Sequence, residues 1–360
     1  MKLNYIIQSV VCALLLGAVT LQAGNPDRQG EAGAAELLLN PWARSAGLHT
    51  TNTASIMGVE AMRLNIAGLS RINGRELVVA NTRLFSGSDV NINALGFANK
   101  VGESGAFGIS LMAMDFGEIP VTTVSDPEGT GGSFSPAFFN LGAGYSYIYD
   151  NKISVGILVR LVSESTSDVS AFGFGIDAGV QYVTGEDDNF RLGISLRNVG
   201  STMRFNGQGL ATTFTANETG VELTGSQRSE DFELPSVLNI GLSYDFYLLR
   251  TSEDAGPGLG NQNLILRAVG NFTSNAFSRD RIGGGIEVLF ADKFALRAAY
   301  RQPVGSVPSS QEDIYTGFSG GASVELPFAK GSDSRVGLDY AYRATSPFRG
   351  THNFSIRLAF

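Results

Sequence analysis

Residues able to do acid–base, nucleophilic or metal chemistry are sparse in this chain. It has two histidines, His49 and His352, and one cysteine, Cys12. The histidines share no HExxH-like spacing, and a zinc site needs Cys and His donors that the chain lacks. Serines and aspartates are plentiful, so a Ser–His–Asp set can be drawn, but no spacing singles one out. The Gly-rich pieces Gly173-Phe174-Gly175 and Gly283-Gly284-Gly285 sit in strand-like sequence, without the strand–loop–helix setting of a phosphate loop. Two acidic pairs, Asp126 with Glu128 and Glu164 with Asp168, have oxygen donors suited to calcium, though solvated carboxylates are the plainer reading. The expectation is a protein that is not an enzyme and carries no cofactor and no metal.

What the chain does offer is charge at alternate positions. Arg160, Asp177, Arg197, Asp245, Arg267, Glu287, Arg297, Asp339 and Arg357 each lie in a segment where apolar residues recur at every second place. Ile153, Val155, Ile157, Val159 and Leu161 alternate with Ser154, Gly156, Leu158, Arg160 and Val162. A period of two puts one set on each face of a β-strand. Fourteen segments read this way: 75–84, 89–100, 104–114, 138–149, 152–162, 171–184, 189–198, 236–248, 262–272, 280–290, 293–302, 313–325, 334–344 and 351–360. Most are about as long as the ~9–11 residues with which a tilted strand crosses a bilayer.

Composition narrows the alternatives. The 360 residues carry net charge −8 and are 10% aromatic, which disfavours both disorder and nucleic-acid binding. After the first residues, no apolar run reaches the ~18 residues of a membrane-spanning helix. A soluble β-sandwich would bury the apolar face and show a polar one, whereas here the second face carries Gly, Ser, Asn and Arg. The reading is an all-β, fourteen-stranded antiparallel transmembrane β-barrel. Its apolar face meets outer-membrane lipid, and its charges line the lumen. Those charges pair across neighbouring strands, as in Arg267 with Glu287 and Asp339 with Arg357.

Residues 1–23 read as a secretory signal peptide, with Lys2 at its start and Ala23 at the cut. Residues 75–360 form the barrel. Between them, residues 24–74 lack clean alternation and are expected to plug the lumen, with Leu37, Leu38, Trp42, Arg44, Asn65, Gly68 and Leu69 as contacts. Left outside, their apolar side chains would be exposed. The odd-numbered connections include two long ones, 115–137 and 199–235, and are taken to face outward. Their apolar residues suggest a partner-binding surface: Phe134, Phe138 and Phe139 in one, Met203, Phe205 and Phe232 in the other. Aromatics gather at strand ends, as two interfacial girdles would require. The chain closes with Phe354-x-Ile356-x-Leu358-x-Phe360. That pattern resembles the terminal signal read by the outer-membrane barrel assembly machinery of Gram-negative cells.

The N-terminal block carries a further likeness. Ala43-Arg44-Ser45-Ala46-Gly47 and Met62-x-x-Asn65-Ile66-Ala67-Gly68-Leu69, together with Arg197-Asn198-Val199-Gly200, resemble the PorV/PorQ family of FadL-like barrels. Ile66 stands where that family commonly has proline. The resemblance implies an accessory role in type IX secretion, by contact with the translocon or its cargo proteins. The alternative it implies is a FadL-like channel for hydrophobic small molecules, with a continuous apolar tunnel beside the plug and a gap in the wall.

Overall fold

Alternating aliphatic and aromatic residues, interrupted by Gly, Asn and Asp at the turns, produce fourteen long strands. They are β1 (Arg75–Arg83), β2 (Asn91–Val101), β3 (Gly105–Asp115), β4 (Ala137–Tyr149), β5 (Ile153–Thr166), β6 (Val169–Thr184) and β7 (Phe190–Gly200). The second half comprises β8 (Val237–Leu249), β9 (Leu264–Asn275), β10 (Arg281–Phe290), β11 (Phe294–Pro303), β12 (Tyr315–Pro327), β13 (Arg335–Thr345) and β14 (Thr351–Ala359). The computed structural model describes residues 24–185, 187–215, 221–249, 263–305, 313–328 and 334–360. The expected signal peptide at 1–23, with Cys12, lies outside the described residues.

Each strand pairs antiparallel with its neighbours in sequence, and β1 pairs with β14 from Glu76–Ala359 to Arg83–His352. The sheet therefore closes on itself. Closure removes the edges, so every strand finds hydrogen-bond partners on both sides, the condition for crossing a bilayer. All fourteen expected segments are present as strands, with ends shifted by a few residues.

The faces sort as the period of two requires. On β5, Ile157 is 54% exposed and points outward, while its neighbour Leu158 is fully buried inside. Arg160 and Val162 share the inner face with Leu158. Val79, Leu95, Val180, Leu242, Leu296 and Leu338 continue the exposed apolar belt. Tyr149, Tyr182, Phe246, Phe294 and Phe360 are exposed at the end with the short turns, and Tyr300 and Tyr342 at the other. On β14, Phe354 and Ile356 face outward and Leu358 is half-buried.

Residues 24–74 run through the lumen. Two short helices, α1 (Ala43–Gly47) and α2 (Ala61–Leu64), alternate with 3-10 turns, the last at Ile66–Arg71. Trp42, Val59, Met62, Ile66 and Leu69 pack against Val78 of β1, Ile92 of β2, Met112 of β3 and Leu158 of β5. Small residues let the wall come close: Gly47 of α1 would place a Cβ 3.2 Å from Gly321 on β12. A Cβ on Gly68 would lie 2.1 Å from the Ile56 carbonyl oxygen, so no larger residue fits there.

Candidate functional site in the lumen

The segment spans the barrel from one end to the other. Near the long loops, Arg28 bonds Glu31 and Glu233, each at 2.7 Å, and lies 4.4 Å over the Phe277 ring. At the opposite end, Arg71 donates to the Lys152 carbonyl at 3.3 Å. Between these points the contacts run around the wall. Ala43 N–H donates to Ser355 (3.0 Å), and Ser146 and Ser195 donate to the carbonyls of Ala67 (2.8 Å) and Leu64 (2.7 Å). Asn65 joins the plug to itself and to the wall. Its Oδ1 accepts from Ala67 N–H at 3.2 Å, and its Nδ2 donates to the carbonyls of Thr53 (3.0 Å) and Val180 (3.1 Å).

Of the expected plug residues, Leu37, Trp42, Asn65, Gly68 and Leu69 are buried against the wall or one another, and Arg44 bonds Glu60 at 3.2 Å. Glu60, Asp339 and Glu76 together outweigh burial and raise the Arg44 pKa. Leu38 is a correction: it is 44% exposed and borders an open space in the lumen. The 3-10 turn at Ala35–Leu38 places Leu37 against the wall, and its neighbour then points the other way.

The expected lumen charges all lie on the inner face, and those from Asp245 onward form a chain across β7 to β14. Asp245 takes Arg191 at 2.7 Å and Arg267 at 2.6 Å. Arg267 continues to Glu287 at 3.0 Å, and Arg297 reaches Glu287 at 2.6 Å and Ser323 at 2.5 Å. Ser323 also meets Asp339. The expected Arg267–Glu287 pair is present. The expected Asp339–Arg357 pair is present at 3.8 Å, and Arg357 bonds more closely to Glu325 of β12, two strands away, at 2.6 Å. On the other side of the lumen, Arg160 bonds Asp177 at 2.7 Å and the Met62 carbonyl at 3.0 Å.

The strand ladder changes character at β6–β7. Arg197 and Asn198 stand opposite the single residue Asp177, a bulge that carries Asn198 to φ +60. Beyond it, β7 no longer pairs with β8, whose first partner is Val237 with Arg197. Residues 201–205 and 231–236 of the connection fold back to fill this place. Met203 and Phe232 pair with each other, and Glu233 bridges Ala32. Met203 and Leu234 then pack on Ala34, Leu37, Val162 and Ala171.

This overturns the expected docking surface on that connection. Met203 is 1% exposed, and Phe205 and Phe232 stack at 5.6 Å beside it. Apolar loop residues next to an incompletely filled lumen bury there rather than face water. Phe138 and Phe139 were expected in the other long loop but lie on β4, paired with β3; Phe138 packs edge-on against Phe116 at 4.8 Å and Phe139 is exposed, while Phe134 of the loop is half-buried. Glu164 was expected to sit with Asp168 in solvent, but it turns into the lumen beside Glu36. Among the described residues there is no cluster of three or more His, Cys, Asp or Glu suited to a metal. His49 lies in the lumen, edge-on to Tyr315 at 6.0 Å, while His352 bonds the Tyr340 hydroxyl at 2.9 Å on the far side of the wall.

Three cavities matter. A space of about 250 Å³ at the short-turn end is lined by the charged chain, including Arg267, Glu287, Arg297 and Glu325. One of about 60 Å³ toward the long loops borders Leu38 and several arginines. Neither is the continuous apolar tunnel expected of a channel. The third, about 820 Å³, is an apolar concavity lined mainly by outward residues of β12–β14 and β1–β3, among them Val79, Leu95, Leu338 and Phe354. It overlies strands that α1 contacts from inside.

No protein-family model and no curated protein matches the chain. Solved structures do. The chain is similar to the Pseudomonas putida toluene transporter TodX (15% identity, TM-score 0.54, 88% of this chain and 96% of that one). It is also similar to a Pseudomonas aeruginosa FadL homologue (12%, 0.52, 89% and 98%) and to the Ralstonia pickettii toluene transporter TbuX (13%, 0.52, 88% and 97%). None of these likenesses points to PorV or PorQ in particular; the fold of this chain is that of FadL-type fourteen-stranded barrels.

Proposed function

We propose that this chain is an outer-membrane barrel that admits hydrophobic small molecules, with residues 24–74 as its plug. The observation that carries this reading is the apolar seam at the β6–β7 bulge. There the β6–β7 ladder is interrupted at Asp177 before it ends at Gly175–Gly200, and behind it Met203 and Leu234 of a folded-in loop pack against Ala34 and Leu37 of the plug. Apolar side chains held by loop contacts part at lower cost than paired strands. Structural likeness to toluene transporters supports the same solute class.

The lumen beyond the seam is crossed by ion pairs, which repel an apolar solute. Apolar surface is instead available at the seam and on the outer wall. None of the structural likenesses supports the accessory role in type IX secretion, and of the loop residues named for it Met203 is buried, with Phe205 and Phe232 half-buried beside it.

Uptake of labelled toluene by cells with and without the intact gene tests the proposal. Deletion should lower the initial rate several-fold and re-expression should restore it. Equal rates would refute it.

A further inference from the structure

The outward face of the wall is not apolar everywhere. On β8, aliphatic and aromatic side chains run unbroken at alternate positions from Leu238 to Leu248. On β1 they stop after Leu77 and Val79, and Asn81 follows. Asn81 stands opposite Asn93 of β2, and its Nδ2 donates to Asn93 Oδ1 at 2.8 Å. Their neighbours in the same row are apolar, Phe354 of β14 on one side and Ala113 of β3 on the other. An amide facing lipid is costly unless its groups are bonded. The single bond leaves the Asn93 N–H groups with capacity to spare.

One row nearer the long loops, Arg83 lies opposite His352 of β14 and Asn91 of β2. Arg83 is exposed, and among the described residues no carboxylate pairs with it. Arg349 is exposed in the β13–β14 turn, which is tied to the β1–β2 connection by the Ser86 N–H donating to the Gly350 carbonyl at 2.7 Å. His352 Nδ1 and the Tyr340 hydroxyl share one bond at 2.9 Å. Whichever of them donates it, the pair keeps another N–H or O–H to donate. The acids of this rim, Asp89 and Asp115, lie toward β3 on either side of Gly117: Asp115 accepts from its N–H at 3.0 Å, and a Cβ built there would meet Asp89 at 3.3 Å.

Below these donors is the outer concavity of about 820 Å³, bordered by Asn81, Asn93 and Tyr340 and lined by small side chains such as Ala113 and Ala322. A second copy of the chain would bring the same hollow to the contact, and two hollows face to face leave a void. Flexible hydrocarbon chains fill it. We propose that this face holds one phosphate-headed lipid, its phosphate on Arg83, Arg349 and the His352–Tyr340 pair, its ester oxygens on Asn93 and its chains in the concavity. Guanidinium–phosphate bonds are charge-assisted and directional, which suits Arg at the rim. The site needs the barrel to stand in lipid but not to admit a solute.

The test is native mass spectrometry of the full chain in a neutral detergent, titrated with dioleoyl phosphatidic acid or with dioleoylglycerol, which has the same chains and no phosphate. One phosphatidic acid per barrel is expected, held at least tenfold tighter than dioleoylglycerol. Arg83→Gln with Arg349→Gln should weaken it at least tenfold, and Ala322→Trp, which fills the hollow, at least threefold. Heat-modifiable gel mobility reports whether each variant is folded; if the double variant is not, Arg83→Gln alone makes the comparison. The proposal is overturned if the two lipids bind alike, if a folded variant binds like the parent, or if the barrels pair without lipid and Ala322→Trp splits the pair. Toluene uptake is measured separately, so failure of the site and failure of the channel reading are distinguishable.

Discussion

Asn65 and Val180 are joined across the lumen: the Asn65 amide donates to the Val180 carbonyl of β6 at 3.1 Å. The same side chain caps Ala67 and holds Thr53, so one buried residue fixes the last turn of the plug, the preceding loop and the wall. Asn65→Ala leaves those groups unpaired in a site closed to water. A loss of about 2–3 kcal/mol is expected. It would be read from the denaturant midpoint of the folded barrel and from faster proteolysis within 24–74. An unchanged midpoint would show that the junction contributes nothing.

Asp245 sits between Arg191 and Arg267 as their shared counter-ion. Asp245→Asn keeps the shape and removes the charge. Two partly buried guanidinium groups then lose a carboxylate, a change expected to cost about 3–5 kcal/mol. Thermal melting followed by gel mobility checks this, and a parallel Leu242→Ala on the outer face should cost far less in lipid or detergent.

His49 provides a pH prediction. Burial first, and then Arg301 and Arg343, hold its pKa well below the usual histidine range, so it is neutral in the folded state. The unfolded chain binds a proton near pH 6.5. Between the two values the unfolded state holds more protons, so stability is full above about pH 6.5 and declines as pH falls below it. His49→Gln should flatten that decline between pH 6.5 and 5 relative to the parent. A parallel slope in the two proteins would remove His49 as its source.

Ala32 and Glu233 form a parallel bridge between the plug and the folded-in loop. Bridged residues lie about 5 Å apart at Cα, within disulfide range. Ala32→Cys with Glu233→Cys should form a bond that ties the seam shut. Toluene uptake is then expected to drop under oxidising conditions and recover with reductant. Uptake indifferent to the bond would mean that the seam need not open.

The strands, their faces and the inward charges were legible in the chain because a period of two is a local property that burial does not disturb. One apolar face and one polar face on each of fourteen segments leave a closed, lipid-facing wall as the arrangement that satisfies both. Arg267 and Glu287 could be paired from sequence alone because they lie on adjacent strands at matching depth. Partners set by long-range geometry were not legible. Met203, Phe205 and Phe232 read as exposed loop residues, and only the bulge at Asp177 with the approach of Ala34 and Leu37 gave them somewhere to bury. Leu38 read like Leu37, yet a single 3-10 turn sent it into open space. The clustering of Arg63 with Arg197 and Arg301 also belongs to the tertiary structure, since it depends on how the plug is threaded. Sequence determined which side of each strand faces outward, because that choice is made residue by residue. The fold decided what meets in the lumen, because that depends on contacts between residues more than a hundred positions apart.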